Sequence, residues 1–450
     1  MGTGSGRSVG AGEGRADWRL ESARRALGMV REALDVHFSV RLWDGSLVPL
    51  GREVVPGLAI RINSPGVIPS LLRRPTLDRL IRHYAHGRID IEGGTLIDIG
   101  GSLAGVGATA GGSRKRLRRI GKVALAKVLW PLLIAPGDHP ETGRAFGAGA
   151  EGAGRRAGDN TRFIQFHYDV GNAFYQLFLD PEMQYSCAYY PAWETTLEDA
   201  QTAKLEMICR KLRLKPEERL LDIGCGWGGL LCHAAAHHGV RGHGVTLSAE
   251  QLAFAREKVA RLGLADRITL ELRDYQALNG QFDKIASIGM YEHIGLDNIP
   301  AYFRKVRGLL ADNGLFLNHA ISRGAKRKKA RFAKRPEQRA LQKYIFPGGE
   351  LDDIGHTLAE MERAGFEIHD VEGWRAHYEK TTRTWCERLT ARRAEAERLA
   401  GAATYRIWVA YLGGCSLAFR RGSARIFQTL AGKSAKGPPA IPPTRADLYR

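Results

Sequence analysis

The chain has no apolar run of the roughly 18 residues that a membrane-spanning helix requires, and its start shows no secretory leader pattern. A membrane span and export are therefore not expected, and any membrane contact should be peripheral. Cysteine is scarce as well: Cys187, Cys209, Cys225, Cys232, Cys386 and Cys415 include no CxxC pair and no ligand spacing with histidine. That argues against a disulfide framework or a metal centre and for a reducing, cytoplasmic location. Acidic residues are in deficit, 48 against 67 Lys and Arg, a formal charge of +19 over 450 residues. Such an excess draws a protein to polyanions, either nucleic acid or an anionic membrane surface.

Glycine, in contrast, is plentiful, with 54 residues, and it punctuates the chain. The glycine-rich residues 1–15 read as a disordered tail. Residues 16–99 read as a small α+β domain, with alternation in FSVRLW (Phe38–Trp43), an Asp44–Gly45 turn, a strand at Leu58–Ile62 and a helical pattern over Leu71–His86. No catalytic constellation stands out in it, so a lipid-binding or scaffolding role is expected. Residues 100–159 read as glycine-rich linkers around RKRLRRIGKVALAKVLWPLLIAP, Arg114–Pro136. Seven basic residues there alternate with Leu, Ile, Val and Trp, the pattern of a basic amphipathic helix in a membrane interface or of a domain-packing helix with a solvated end. The basic segment Arg323–Arg339 carries the same pair of readings. Because these basic runs are interleaved with apolar residues and no nucleic-acid module is recognisable, a nucleic-acid partner is not expected.

Residues 160–433 alternate between strand and helix patterns, and the expected elements are strands at Leu220–Ile223, Val240–Leu247, Ile268–Leu272, Phe282–Ile288 and Gly314–Ile321, with helices between them. An αβ unit over Leu351–Gly373 and a helical tail over Thr381–Lys433 complete this domain, and residues 434–450 read as a second disordered tail. Such alternation predicts an α/β, doubly wound, mostly parallel sheet with its ligand at the carboxyl ends of the strands. The first strand runs into RLLDIGCGWGGL, Arg219–Leu230, where Asp222 precedes four glycines in six positions, Gly224, Gly226, Gly228 and Gly229. A turn of this kind either binds a nucleotide-like ligand or serves close helix–strand packing. Ser248 and Gln251 fit a capping box for the helix after the second strand.

The glycine turn, the capped helix and Asp274 after the third strand resemble a class I S-adenosylmethionine-dependent methyltransferase. One departure is that the second strand ends Val245-Thr246-Leu247-Ser248, without the acid usual there for the ribose hydroxyls. The motifs HYDVGNAFYQLFLD, MQYSCAYY, LDIGCGWGG, GVTLSAEQ, SIGMYEHIG, KYIFPGGEL and GGCSLAFR, in that order, resemble the cyclopropane-fatty-acyl-phospholipid synthases and mycolic acid cyclopropane synthases. The resemblance covers roughly residues 163–427, and the N-terminal stretch resembles the extra domain of the phospholipid-modifying members. It implies a seven-stranded Rossmann-like methyltransferase sheet and methylene transfer to the cis double bond of unsaturated phospholipid acyl chains. A fatty-acyl C-methyltransferase yielding methyl-branched or methylene products is the alternative.

The resemblance assigns cofactor binding to Tyr185, Asp222, Gly224, Gly226, Gly228, Thr246, Gln251, Asp274 and Tyr275. It places bicarbonate, as a general base, among Cys187, Glu292, His319, Ile321 and Tyr378, with Cys415 close by. The carbocation of such a reaction calls for an aromatic pocket such as Tyr168, Phe174, Tyr185 and Tyr189, each ring alternatively serving as plain hydrophobic lining. The implied partner is a bilayer surface bearing unsaturated acyl chains, reached at the inner face of the membrane, and a homodimer is implied by analogy.

Overall fold

A computed structural model describes residues 17–34, 36–108, 122–140, 159–325, 335–433 and 441–449. The chain divides into two units, one of residues 1–75 and 87–140, the other of residues 76–86 and 141–450.

In the first unit four short strands, β1 (Ser39–Arg41), β2 (Leu47–Pro49), β3 (Ala59–Ile62) and β4 (Ile89–Glu92), pair in the order β2-β1-β3-β4. Alternation in FSVRLW drives the assembly: Phe38, Val40 and Leu42 enter a core with Ala23, Leu50, Leu58 and Ile99. Gly45, at φ +88°, closes the β1–β2 hairpin turn. The expected linker from Gly100 begins as helix instead, since Leu96–Ala108 is one continuous helical segment. The basic stretch Arg114–Arg119 lies outside the described residues. The next helix, Lys122–Ile134, is apolar on nearly every side rather than split into basic and apolar faces. It buries Leu132, and the Arg73 guanidinium donates to the Leu133 and Ala135 carbonyls at its end, at 3.0 and 2.6 Å. Trp130 and Ile134 stay 64% and 67% exposed.

The second unit holds a sheet in the order β11-β12-β9-β8-β5-β6-β7, formed by β5 (Arg219–Ile223), β6 (Arg241–Thr246), β7 (Ile268–Leu272), β8 (Phe282–Ile288), β9 (Leu310–Arg323), β11 (Phe366–Gly373) and β12 (Ala424–Lys433). The two-residue strand β10 (Asp352–Asp353) pairs with β9 off this path. All pairings from β9 to β7 are parallel, while β12 runs antiparallel to both β9 and β11. Strand alternation sends neighbours to opposite sides: Leu220, Leu315 and Leu317 enter one core, Leu221, Ile223 and Phe316 the other. Strand order reverses around β5, flanked by β8 and β6, which leaves a crevice at its carboxyl end.

Three expectations need correction. The helical tail Thr381–Lys433 is helical only to Arg420; Gly422, at φ +69°, breaks it and Ala424–Lys433 enters the sheet as β12. Helix Leu77–Ala85, expected in the N-terminal domain, belongs to the second unit, where Asp78 pairs with Lys343 and Tyr344. Finally, residues 441–449 are ordered rather than disordered: Leu448 is buried, and Asp447 and Arg445 pair with Arg213 and Asp370.

Candidate active site

The β5 crevice is a cleft lined by Tyr185, Asp222, Gly224, Gly226, Thr246, Gln251, Asp274 and Tyr275, eight of the nine expected cofactor residues. Local conformation explains the glycines. Gly224 and Gly226 hold φ +83° and +54°, values that L side chains rarely adopt, and Gly224 and Cys225 donate their N–H groups to the Val245 carbonyl, both at 3.0 Å. Gly228 does not line the cleft. It caps the following helix at φ +80°, and a Cβ there would come within 3.2 Å of the Ala255 methyl, so its role is packing.

At the end of β6 the Thr246 hydroxyl donates to Gln251 Oε1 at 2.9 Å and accepts from the Ser248 N–H at 3.2 Å. Only half of the expected capping box forms. The Ser248 hydroxyl accepts from the Gln251 N–H at 3.3 Å, but the Gln251 side chain turns to Thr246 and to the Tyr168 hydroxyl in the cleft. A neutral amide thus stands beyond the end of β6, where the usual acid is missing. Asp274 accepts from the Gln276 N–H at 2.9 Å, which starts a short turn and fixes the carboxylate at the cleft rim.

Sequence reasoning missed Lys204. Its ammonium is 1% exposed beside the cleft, donates to Gln184 Oε1 at 2.5 Å and to the Ser186 hydroxyl at 3.1 Å, and is pulled down to about 8 by burial. These partners flank Tyr185, so Lys204 holds that tyrosine's loop against the cofactor cleft. Burial likewise pushes Asp222 up to about 7, opposed by the Lys204 charge, and leaves its Oδ1 without a partner. A lysine on the apolar face of helix Leu197–Leu212, among Ala200, Leu205 and Ile208, was the available signal.

The remaining expected residues do not line the cleft; Cys187, Glu292, His319 and Tyr378 are buried, Ile321 and Cys415 half-buried, and Glu292 and Tyr378 lie near the cleft tyrosines Tyr168 and Tyr185. Glu292, in a short helical turn after β8, accepts from the Ile321 N–H through Oε1, while its Oε2 is buried without a partner. Burial pushes the Glu292 carboxyl up to about 7. His319 precedes Ile321 by two on β9 and so shares its face. It is fully buried, meets Gln428 of β12 through Nδ1 at 3.1 Å, and has no partner at Nε2. Burial, aided by the Lys204 and Lys211 charges, holds it well below the usual imidazole range. It is therefore neutral, and with Nδ1 accepting from the Gln428 amide the proton resides on Nε2.

Tyr378 is buried against Phe419, close to Glu292, Cys187, Cys415 and Tyr168. A chain of hydroxyls runs from Tyr185 to Tyr411 at 3.3 Å, then to Cys415, and Tyr411 was another residue not anticipated. Burial pushes the Cys415 thiol up to about 12 and the Cys187 thiol well above the usual range, so neither is a thiolate nucleophile. Tyr168 and Tyr185 line the cleft, backed by His167, Tyr175, Trp385 and Trp408. Phe174 and Tyr189 do not line it: one packs on Phe178 and Trp408, the other stacks on His377 and Trp374.

A seven-strand sheet of this order, with a glycine turn after β5 and the cleft at its carboxyl end, is the fold of a class I S-adenosylmethionine-dependent methyltransferase. The mycolic acid cyclopropane synthetase family model matches residues 156–429, more than half of the chain. This chain belongs to that family of S-adenosylmethionine-dependent enzymes, which transfer methyl or methylene groups to lipids. It is 36% identical over 427 residues to a probable fatty acid methyltransferase of Pseudomonas putida, covering 93% of this chain and 98% of the relative. It is 40% identical over 270 residues to the cyclopropane-fatty-acyl-phospholipid synthase of Escherichia coli K12, covering 60% of this chain and 67% of the relative. The structure of mycolic acid cyclopropane synthase CmaA1 complexed with SAH and CTAB superposes with a TM-score of 0.58 at 32% identity, over 61% of this chain and 98% of that one.

Proposed function

We propose that this enzyme transfers a methylene from S-adenosylmethionine to the cis double bond of unsaturated phospholipid acyl chains, closing a cyclopropane ring. The observation that carries this reading is that Glu292 Oε2 and His319 Nε2 are each buried without a partner, with Glu292 held to the Ile321 N–H two residues along β9 from His319. When bound in that cleft, S-adenosylmethionine supplies an electrophilic methyl on a sulfonium that leaves as a thioether. A cis alkene is a weak nucleophile, so the cleft's task is alignment and exclusion of water. Attack forms one carbon–carbon bond and leaves a carbocation, which the faces of Tyr168 and Tyr185 stabilise by about 0.5–2 kcal/mol each. The second ring bond forms as one proton leaves the transferred carbon.

That proton needs a base that survives burial. Among the residues here, Tyr378 keeps its proton because burial raises it, and His319 offers an N–H rather than a lone pair. Bicarbonate would fit the remaining demand: His319 Nε2–H and the Tyr378 hydroxyl could donate to it, Glu292 Oε2 could accept from it, and it would supply a base. Glu292, His319 and Tyr378 would hold it beside Cys187, with Ile321 acting through its N–H on Glu292.

The full-length match to a probable fatty acid methyltransferase favours a second reading, a methyl-branched or methylene product from the same cation. Purified enzyme, cofactor and vesicles of unsaturated phospholipid decide between them. Added mass of one methylene per double bond with upfield cyclopropane protons supports ring closure; olefinic or branched-methyl signals support the alternative. Bicarbonate depletion should slow turnover and its return restore it. The exposed Trp130 and Ile134 support a bilayer surface as the place of encounter, and we infer that it is met at the inner face of the membrane.

A further inference from the structure

On a face of the second unit away from the cleft, helix Leu197–Leu212 packs beside helix Gly229–His238. The first helix turns Lys204 and Ile208 to the cleft; Glu206 and Cys209, one turn apart, face elsewhere. They meet His233 and His238 of the second helix. Cys209 Sγ and a ring nitrogen from each of these two histidines all lie within 4.8 Å of one another. Glu206 Oε2 is 3.2 Å from His233 Nε2 and 3.0 Å from His238 Nε2, so two imidazoles converge on one carboxylate oxygen. Arg210 engages the other oxygen, Oε1, at 2.7 Å, which orients the carboxylate toward the rings.

We propose that Cys209, His233 and His238 form a zinc site that clips together the two helices flanking β5, with Glu206, already beside both imidazoles, turning in as the fourth donor. A thiolate, two imidazoles and a carboxylate are a donor set suited to a tetrahedral, borderline-soft divalent ion. With bonds of about 2.0–2.3 Å, tetrahedral ligand atoms sit roughly 3.3–3.8 Å apart, so bringing the Cys209, His233 and His238 atoms in from 4.8 Å needs only small side-chain rotations. Access is available as well. His233 and His238 are 12% and 20% exposed, while Cys209 closes the inner side. Binding displaces the Cys209 thiol proton, while each neutral imidazole keeps its proton on the ring nitrogen turned away from the metal, so affinity rises with pH. Linear spacing gave no metal motif because the donors come from two helices separated by the glycine-turn strand.

The test uses the full-length, untagged protein stripped of metal and titrated with cobalt(II), then zinc(II). The expected result is one cobalt per chain with a thiolate-to-cobalt absorption band and the visible bands of a tetrahedral site, displaced by one equivalent of zinc. Cys209→Ala should abolish the thiolate band. Because Cys209 is a core residue, His238→Gln, at the partly exposed helix end, is the second variant. It should weaken zinc at least tenfold against a chromophoric chelator while leaving SAH binding unchanged. Absence of the thiolate band in the folded wild type, or bands and affinity unaltered in both variants, would overturn the site.

Discussion

Glu292 accepts the backbone N–H of Ile321 through Oε1 at 2.5 Å, while its other oxygen is buried with no partner. Backbone hydrogen bonds do not offset the loss of water around the carboxylate, so the group is pushed from 4.5 up to about 7. In the unfolded chain it ionises at its ordinary value. The folded state therefore binds the extra proton, and stability declines as pH rises from about 4.5 to about 7. The full cost above that range is on the order of 3 kcal/mol. Glu292→Gln keeps an oxygen for the Ile321 N–H and removes the buried charge. Melting curves should show the variant more stable than wild type at pH 8, with the gain shrinking toward pH 4.5, while product formation on vesicles is lost and SAH binding persists.

His319 runs the opposite way with pH. Its depressed pKa keeps it neutral when folded, whereas the unfolded chain takes up a proton below about 6.5, so this contribution is lost as pH falls. In His319→Gln the acid-sensitive part disappears. The stability difference between wild type and variant should narrow by about 1.4 kcal/mol for each pH unit below 6.5. Denaturant titrations between pH 7 and pH 5 measure it; a constant difference would contradict a neutral buried imidazole.

Gly226 and Gly228 both hold positive φ but should respond differently. A Cβ on Gly226 meets no protein atom within 4 Å, so Gly226→Ala carries only backbone strain of about 1–2 kcal/mol and blocks the cleft lining. Calorimetry should show SAH affinity reduced tenfold or more. Gly228→Ala adds a 3.2 Å contact with Ala255 to the same strain and should lower the melting temperature further, with a smaller change in affinity for the cofactor product.

Trp130 and Ile134 project from the N-terminal unit's helix into solvent. Burying one such side chain in a lipid interface contributes roughly 1.5–3 kcal/mol. Replacing both with serine should weaken sedimentation with anionic vesicles by at least tenfold and leave SAH binding unchanged, because neither residue lines the cleft.

Sequence carried most of the parallel half of the sheet. The apolar runs of β5 and β8, the cap at Ser248 and the glycines at 224–228 each have a local cause, alternation or forced backbone geometry, visible within a few residues. β12 escaped because Ala424–Lys433 follows a helix closely, and its strand character comes from antiparallel pairing to β9 and β11. Lys204 and Tyr411 escaped for a related reason: each is an ordinary residue on a helix until the fold brings it to Gln184 or Tyr185.

The amino-acid order alone determined the glycine turn, the positions of the parallel strands along the chain and the chemical inventory, since these depend on short-range patterns. Tertiary structure decided which groups lose their water. Glu292 reaches the Ile321 N–H, two residues from His319 on β9, because β8 and β9 pair side by side, and Cys209, His233 and His238 converge, with Glu206 beside both imidazoles, because two helices pack. Desolvation and proximity are properties of that packing, and they set the protonation states on which the chemistry depends.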